Sequence, residues 1–229
     1  MRSLTLIITA AAVLLPSCQA LRGRTETRWD CCKPACGWKS NLVDSKATGQ
    51  LTICSKDDAP LPPSEADSRV SSCDATNPGN AYTCSTFQPR PVSDALTYAF
   101  AVTKGMDNCC RCFELSWTDG PAVGKRLRVQ VINEGGNSTD ANSRTFMILT
   151  PGGGVGPNIQ GCEAQYGYDW GRRYGGVVKA EDCVTLPERL QAGCYWRWNW
   201  ARGDVNGWGV DYERIECPRE LTDVSGCKA

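Results

Sequence analysis

Trp29-Asp30-Cys31-Cys32-Lys33-Pro34-Ala35-Cys36-Gly37-Trp38 is the stretch whose residue types and spacing could do chemistry. One carboxylate, Asp30, sits against three cysteines and between two tryptophans. Flat aromatic rings pack on the apolar C–H faces of sugars, so an acid fixed between them points to carbohydrate chemistry. Such chemistry ordinarily uses two carboxyl groups flanking the scissile bond. The competing reading of Asp30 is a capping or turn aspartate. Histidine is absent from the chain. That excludes Ser-His-Asp and Cys-His catalysis and histidine-ligated metal sites, and leaves acid–base work to Asp, Glu, Lys or Tyr.

Asp30 can act only if its neighbourhood is rigid, and the cysteines are the means. Residues 1–20 read as a secretory signal peptide. Arg2 gives a positive start, Leu4 to Leu15 is an apolar run too short to span a bilayer, and Ser17-Cys18-Gln19-Ala20 offers a small residue at the cut. The mature chain, residues 21–229, is expected to be secreted and extracellular, a single domain with no membrane span. Of the 15 cysteines, Cys18 leaves with the signal. The even remainder in an exported chain means a disulfide framework. Zinc is the rival reading, weakened by the missing histidines and the oxidising compartment. Lys and Arg number 25, as do Asp and Glu. With no basic stripe, nucleic acid is not an expected partner.

The elements that must carry the site read mainly as strands. Leu96 to Val102 is a continuous apolar run. Phe113, Leu115 and Trp117 alternate with polar residues, as do Leu127, Val129 and Val131, and Phe146 to Leu149 is short and apolar. Trp196, Trp198 and Trp200 alternate as well and predict a strand with its tryptophans on the core. Pro187 to Gln191 predicts a short helix with Pro187 in its first turn. Residues 55–69 and 133–145 are polar and irregular, and Pro151-Gly152-Gly153-Gly154 is a turn. The fold class is therefore mainly β, a small barrel with long disulfide-braced loops and a few short helices. Asn137-Ser138-Thr139 is a glycosylation sequon in a polar loop. No linker-like tract marks off a carbohydrate-binding module, and none is expected beyond Cys227.

Further motifs are Asn108-Cys109-Cys110-Arg111-Cys112-Phe113-Glu114-Leu115, Gly120-Pro121-Ala122-Val123-Gly124-Lys125, Pro151-Gly152-Gly153-Gly154-Val155-Gly156, Arg173-Tyr174-Gly175-Gly176 and Gly193-Cys194-Tyr195-Trp196-Arg197. With the Trp29–Trp38 segment and the order of the cysteines, they make the mature chain resemble the secreted endoglucanases of glycoside hydrolase family 45. The resemblance implies a six-stranded double-psi β-barrel with an open groove. It also implies the disulfides Cys31–Cys162, Cys32–Cys73, Cys36–Cys109, Cys54–Cys84, Cys110–Cys227, Cys112–Cys217 and Cys183–Cys194, a connectivity that spacing alone leaves open.

Family members cleave internal β-1,4 bonds of cellulose with inversion, and Asp30 matches their general base. Their general acid lies four residues before the proline of the Pro-Gly-Gly-Gly turn. Here that residue is Met147, which has no proton to donate. A second loop aspartate seven residues before the acid corresponds to Asp140, downstream of an apparent insertion at Asn137–Thr139. Asp140, or Glu134 in the same loop, is a candidate substitute acid. The family reads Thr-Arg-Tyr-aromatic-Asp where this chain has Thr27-Arg28-Trp29-Asp30, so one aromatic is missing or replaced by Arg28. Trp38 and Tyr174 match groove-lining positions, and Trp29 is expected to join them. The resemblance thus implies a monomer with no cofactor or metal, acting on cellulose, xyloglucan or glucomannan. The lost acid implies impaired turnover, with two alternatives: a glucan-binding pseudoenzyme, and a defence or inhibitor protein on the same barrel.

Overall fold

A computed structural model describes residues 21–136, 144–167 and 170–229. The expected signal segment, the sequon at Asn137 and the loop aspartate Asp140 lie outside these residues. The strands are β1 (Leu21–Arg28), β2 (Thr48–Gly49), β3 (Arg90–Ser93), β4 (Leu96–Thr103), β5 (Cys112–Trp117), β6 (Arg126–Glu134), β7 (Arg144–Leu149), β8 (Gly209–Ile215) and β9 (Cys227–Lys228). The sheet runs β3-β4-β6-β5-β8-β1-β7, and β7 also pairs with β4. That last pairing closes six strands into a barrel, with β3 as a flap on β4. The β1/β7 and β4/β6 pairs are parallel; the other barrel pairs are antiparallel.

The anticipated alternation fills the barrel. Phe113, Leu115 and Trp117 meet Leu127, Val129 and Val131 in the interior, with Ala99 and Ala101 of β4 and Phe146 and Ile148 of β7. The run Leu96–Val102 is apolar on both faces because its outer face is covered too: Tyr98, Phe100 and Val102 belong to a second core with Leu51, Ile53 and Phe87. Two strands carry too little apolar signal to be read in advance. β1, Leu-Arg-Gly-Arg-Thr-Glu-Thr-Arg, turns the small Gly23, Thr25 and Thr27 inward and its charged residues outward. The Thr25 hydroxyl is satisfied inside, donating to the Val205 carbonyl (2.8 Å) and accepting from Trp117 Nε1 (3.1 Å). β8 is likewise mostly polar.

The expected tryptophan strand is a helix. Four α-helices are present among the described residues: α1 (Pro63–Ala66), α2 (Gln160–Tyr166), α3 (Glu188–Trp196) and α4 (Arg219–Ser225). The predicted helix is there, but it starts at Glu188 with Pro187 as its N-cap rather than in its first turn, runs past Gln191 to Trp196 and continues as one π-helical turn, Arg197–Ala201. Trp196 and Trp200 are four apart, one helical turn, and both are buried, stacked 5.8 Å apart beside Trp117. Trp198, two residues from each, faces the other way into a surface cavity. A spacing of two, repeated once, fits one helical turn as well as a strand. Among the described residues seven disulfides brace the loops, and the pairs are those the resemblance implies. Among the described residues no helix is long and apolar enough to cross a membrane.

Candidate active site

Asp30 lies just past the end of β1, where the backbone of Cys31 takes a positive φ of 61°. Three disulfides leave this corner for distant parts of the chain: Cys31–Cys162, Cys32–Cys73 and Cys36–Cys109. They fix a backbone conformation that a non-glycine residue otherwise avoids at about 1–3 kcal/mol. The Asp30 side chain is buried, with every contact charge-assisted. Its Oδ1 accepts the Cys32 N–H (3.2 Å), and its Oδ2 accepts from Asn158 Nδ2 (3.2 Å) and from Arg28 Nε (2.9 Å) and Nη2 (2.6 Å). Arg28, at or beside the place of the missing aromatic, thus covers the carboxylate.

Two surface cavities share Arg28 as a wall. The larger, about 920 Å³, is lined by Glu26, Met147, Tyr174, Trp198, Asp204 and Asn206 among others, a size suited to a bound ligand. The smaller, about 380 Å³, includes Trp38, Lys33, Asn133, Glu134 and Asn158. Met147 is on β7, buried, in parallel register with Glu26 of β1. Its ε-methyl group lies 3.3 Å from where a Cβ on Gly136 would stand. Tyr174 is 68% exposed at the larger cavity, and Trp38 is half-buried at the smaller. Trp29, expected beside the groove, is instead 2% exposed and part of the outer core. Trp29 follows the end of β1 and packs among Cys31, Cys162 and the other residues of that core.

Lys33 positions the Trp38 ring. Its Nζ donates to the carbonyls of Asp67 and Arg69 (2.9 Å each) and lies 3.9 Å from the ring centroid. Burial lowers its pKa to about 8, against a smaller opposing pull from Asp67. The far wall is held by Arg197, which is fully buried and donates to the carbonyls of Gly175 (3.0 Å), Gly152 (3.0 Å) and Val177 (3.3 Å). Burial lowers its pKa to about 10, with Asp204 opposing. Arg197 thereby ties the Pro151–Gly154 turn to the Tyr174 loop.

Of the residues singled out in the sequence, Met147 and Tyr174 line the larger cavity and Trp38 and Glu134 the smaller, where Glu134 accepts the Gly105 N–H at 3.5 Å; Asp30 lines neither and meets them through Arg28 and Asn158. Sequence reasoning missed Glu26, Asn158, Arg197 and Trp198. Only Glu26 left a local signal: Glu26, Arg28 and Asp30 share one parity of an extended chain. Among the described residues no cluster of three or more His, Cys, Asp or Glu could hold a metal ion.

The family described as Glycosyl hydrolase family 45 matches residues 22–228. The chain belongs to glycosyl hydrolase family 45. An endoglucanase of Cryptopygus antarcticus is 34% identical over 219 residues, covering 90% of this chain and 88% of that protein. An endoglucanase of Phaedon cochleariae is 37% identical over 213 residues, covering 90% and 83%. A Fusarium oxysporum protein named for endoglucanase type K is 36% identical over 234 residues; the whole of this chain spans only 58% of that longer protein. The crystal structure of the cellulase from the Antarctic springtail Cryptopygus antarcticus superimposes with a TM-score of 0.80 at 31% identity, covering 92% of this chain and 98% of the springtail protein.

Proposed function

We propose that this family 45 protein is secreted and takes β-1,4-linked glucan into the two cavities that meet at Arg28. There it cleaves the chain by inversion, at a rate at least about 10²-fold below that of a relative with a carboxyl at position 147. The observation that carries the reading is the braced carboxylate of Asp30, bonded to Arg28, the wall that the two cavities share, and to Asn158 of the smaller, with an aromatic side chain at each cavity. As general base, Asp30 takes a proton from water while the water oxygen attacks the anomeric carbon. To do so it must turn from the Arg28 guanidinium toward the substrate. The endoglucanase and cellulase names of the relatives support a β-glucan substrate, and the disulfide framework supports export.

A second reading is favoured by the Arg28–Asp30 ion pair and by Met147: a protein that holds glucan without cutting it. New reducing ends from carboxymethyl-cellulose, xyloglucan and glucomannan separate the two. Turnover by the wild type that disappears in Asp30→Asn is expected. A silent wild type that still binds glucan would establish the second reading, and one that neither cuts nor binds would sink both.

A further inference from the structure

We propose that Glu26 is the general acid of this chain, supplying from β1, less efficiently than a carboxyl at position 147 would, the proton that Met147 on β7 cannot. The inference rests on the hydrolytic reading above. Glu26 and Met147 are direct partners in the parallel β1/β7 ladder. Paired residues on neighbouring strands point to the same face, about 4.8 Å apart. Both line the larger cavity, so the glutamate stands one strand spacing from where a carboxyl at 147 would be. Its side chain is one methylene longer than aspartate's, which extends its reach across that spacing.

The electrostatic surroundings leave Glu26 available. On the same face of β1, Arg28 spends its guanidinium on Asp30 and Arg24 Nε donates to the Thr145 hydroxyl (3.3 Å). Among the described residues the Glu26 carboxyl takes no hydrogen bond and no ion pair. A glutamate serving only as a solvated strand residue has no reason to line the cavity beside the vacant acid position. Four residues of extended chain separate Glu26 from Asp30, an upper limit of about 14 Å between their Cα atoms. The ~6.5–9.5 Å between the carboxyls of an inverting pair falls inside that limit, and Arg28, which holds Asp30, lines the same cavity as Glu26. Two other carboxyls fit less well. Glu134 is in the smaller cavity, and Asp204 stands exposed at the rim of the larger one, accepting the Asn206 N–H.

The step balances. The Glu26 proton passes to the glycosidic oxygen as its bond to C1 breaks. Water bonds to C1 from the opposite face as Asp30 takes one of its protons. The products are an α-configured reducing end and a free 4-hydroxyl. Solvent then reprotonates Glu26 and accepts the proton from Asp30.

A comparison of leaving groups tests the assignment. Glu26→Gln keeps the shape and loses the proton, so hydrolysis of carboxymethyl-cellulose should fall at least about 10²-fold. Hydrolysis of 2,4-dinitrophenyl β-cellobioside, whose leaving group needs no proton, should fall less than about tenfold. Asp30→Asn should lose both activities. Glu26→Gln/Met147→Asp should recover hydrolysis of the polymer, a result that a merely misfolded Glu26→Gln could not give. Wild-type turnover that needs Asp30 but is unchanged in Glu26→Gln would overturn the role of Glu26 and leave the proposed function standing. Equal losses on both substrates with no recovery in the double variant would also overturn it. A wild type silent on both substrates would overturn both proposals.

Discussion

Arg28 and Asp30 show how much of a site depends on side-chain direction rather than sequence distance. Two residues apart on an extended chain, they share a face and form a short ion pair, while Trp29 between them turns into the core. Asp30 was legible in the sequence because its cysteine cluster fixes it covalently. Glu26 left only its parity with Asp30, because the strand partner that singles it out, Met147, is more than a hundred residues away. Lys33 illustrates a residue whose environment matters more than its type. Its folded pKa of about 8 lies below the 10.5 of a free lysine because burial disfavours the charge. Below about pH 8 both folded and unfolded chains hold this proton, and the burial cost is fully present. Between about 8 and 10.5 the unfolded chain binds a proton that the folded chain does not, so this group makes stability rise with pH across that window. Urea unfolding at pH 7.5 and 9.5 should show the rise in the wild type and its reduction in Lys33→Met. An identical pH dependence in the two proteins would refute the assignment. Deprotonation also removes the cation from the Trp38 ring, so glucan affinity should weaken over the same interval.

Among the elements, the glycine turns were legible but their interlocking was not. Pro151–Gly154 read as a turn and Arg173–Gly176 only as a motif of the resemblance, yet they pack backbone to backbone. A Cβ on Gly176, where φ is +68°, would stand 1.7 Å from the Gly152 carbonyl oxygen. Gly175, with φ of +84°, has nothing nearer than Asn206 Nδ2 at 3.6 Å. The pair separates strain from collision. Gly175→Ala meets only the left-handed backbone penalty, about 1–2 kcal/mol, whereas Gly176→Ala must also push the two turns apart and should cost clearly more. Because Arg197 clasps the same turns, the displacement should carry Tyr174 with it and weaken glucan binding in Gly176→Ala alone. Equal losses of stability and affinity in the two variants would show that the turns do not act as one unit. The tryptophan segment gives the opposite lesson: three residues spaced by two were too few to separate strand from helix, and burial of Trp196 and Trp200 on one helical face decided it.

Over the whole molecule, barrel closure is the property least visible in the sequence. Strand periodicity identified β4 to β7 but said nothing of pairing; β1 hid because a face of threonine and glycine carries little hydropathy, and β8 because it is mostly polar. The β1/β7 pairing that brings Glu26 to Met147 joins segments distant in the chain, and such contacts are costly to form because long loops must first close. The disulfides bear on this cost unequally. Cys31–Cys162 spans 131 residues and ends beside Asp30, whereas Cys183–Cys194 spans 11. In the chain-entropy treatment the longer loop restricts the unfolded state by about 5 kcal/mol and the shorter by about 3. Cys31→Ser/Cys162→Ser should therefore lose about 2 kcal/mol more than Cys183→Ser/Cys194→Ser in urea unfolding. Equal losses would mean that the denatured chain is already compact around this corner, so that the long bridge restricts it no more than the short one. A larger gap is the sign that the bridge also holds the native corner, and it should then appear in turnover too. With Cys31 free to leave its positive-φ conformation, Asp30 would lose its fixed approach to the cavity even in the fraction of molecules that remains folded.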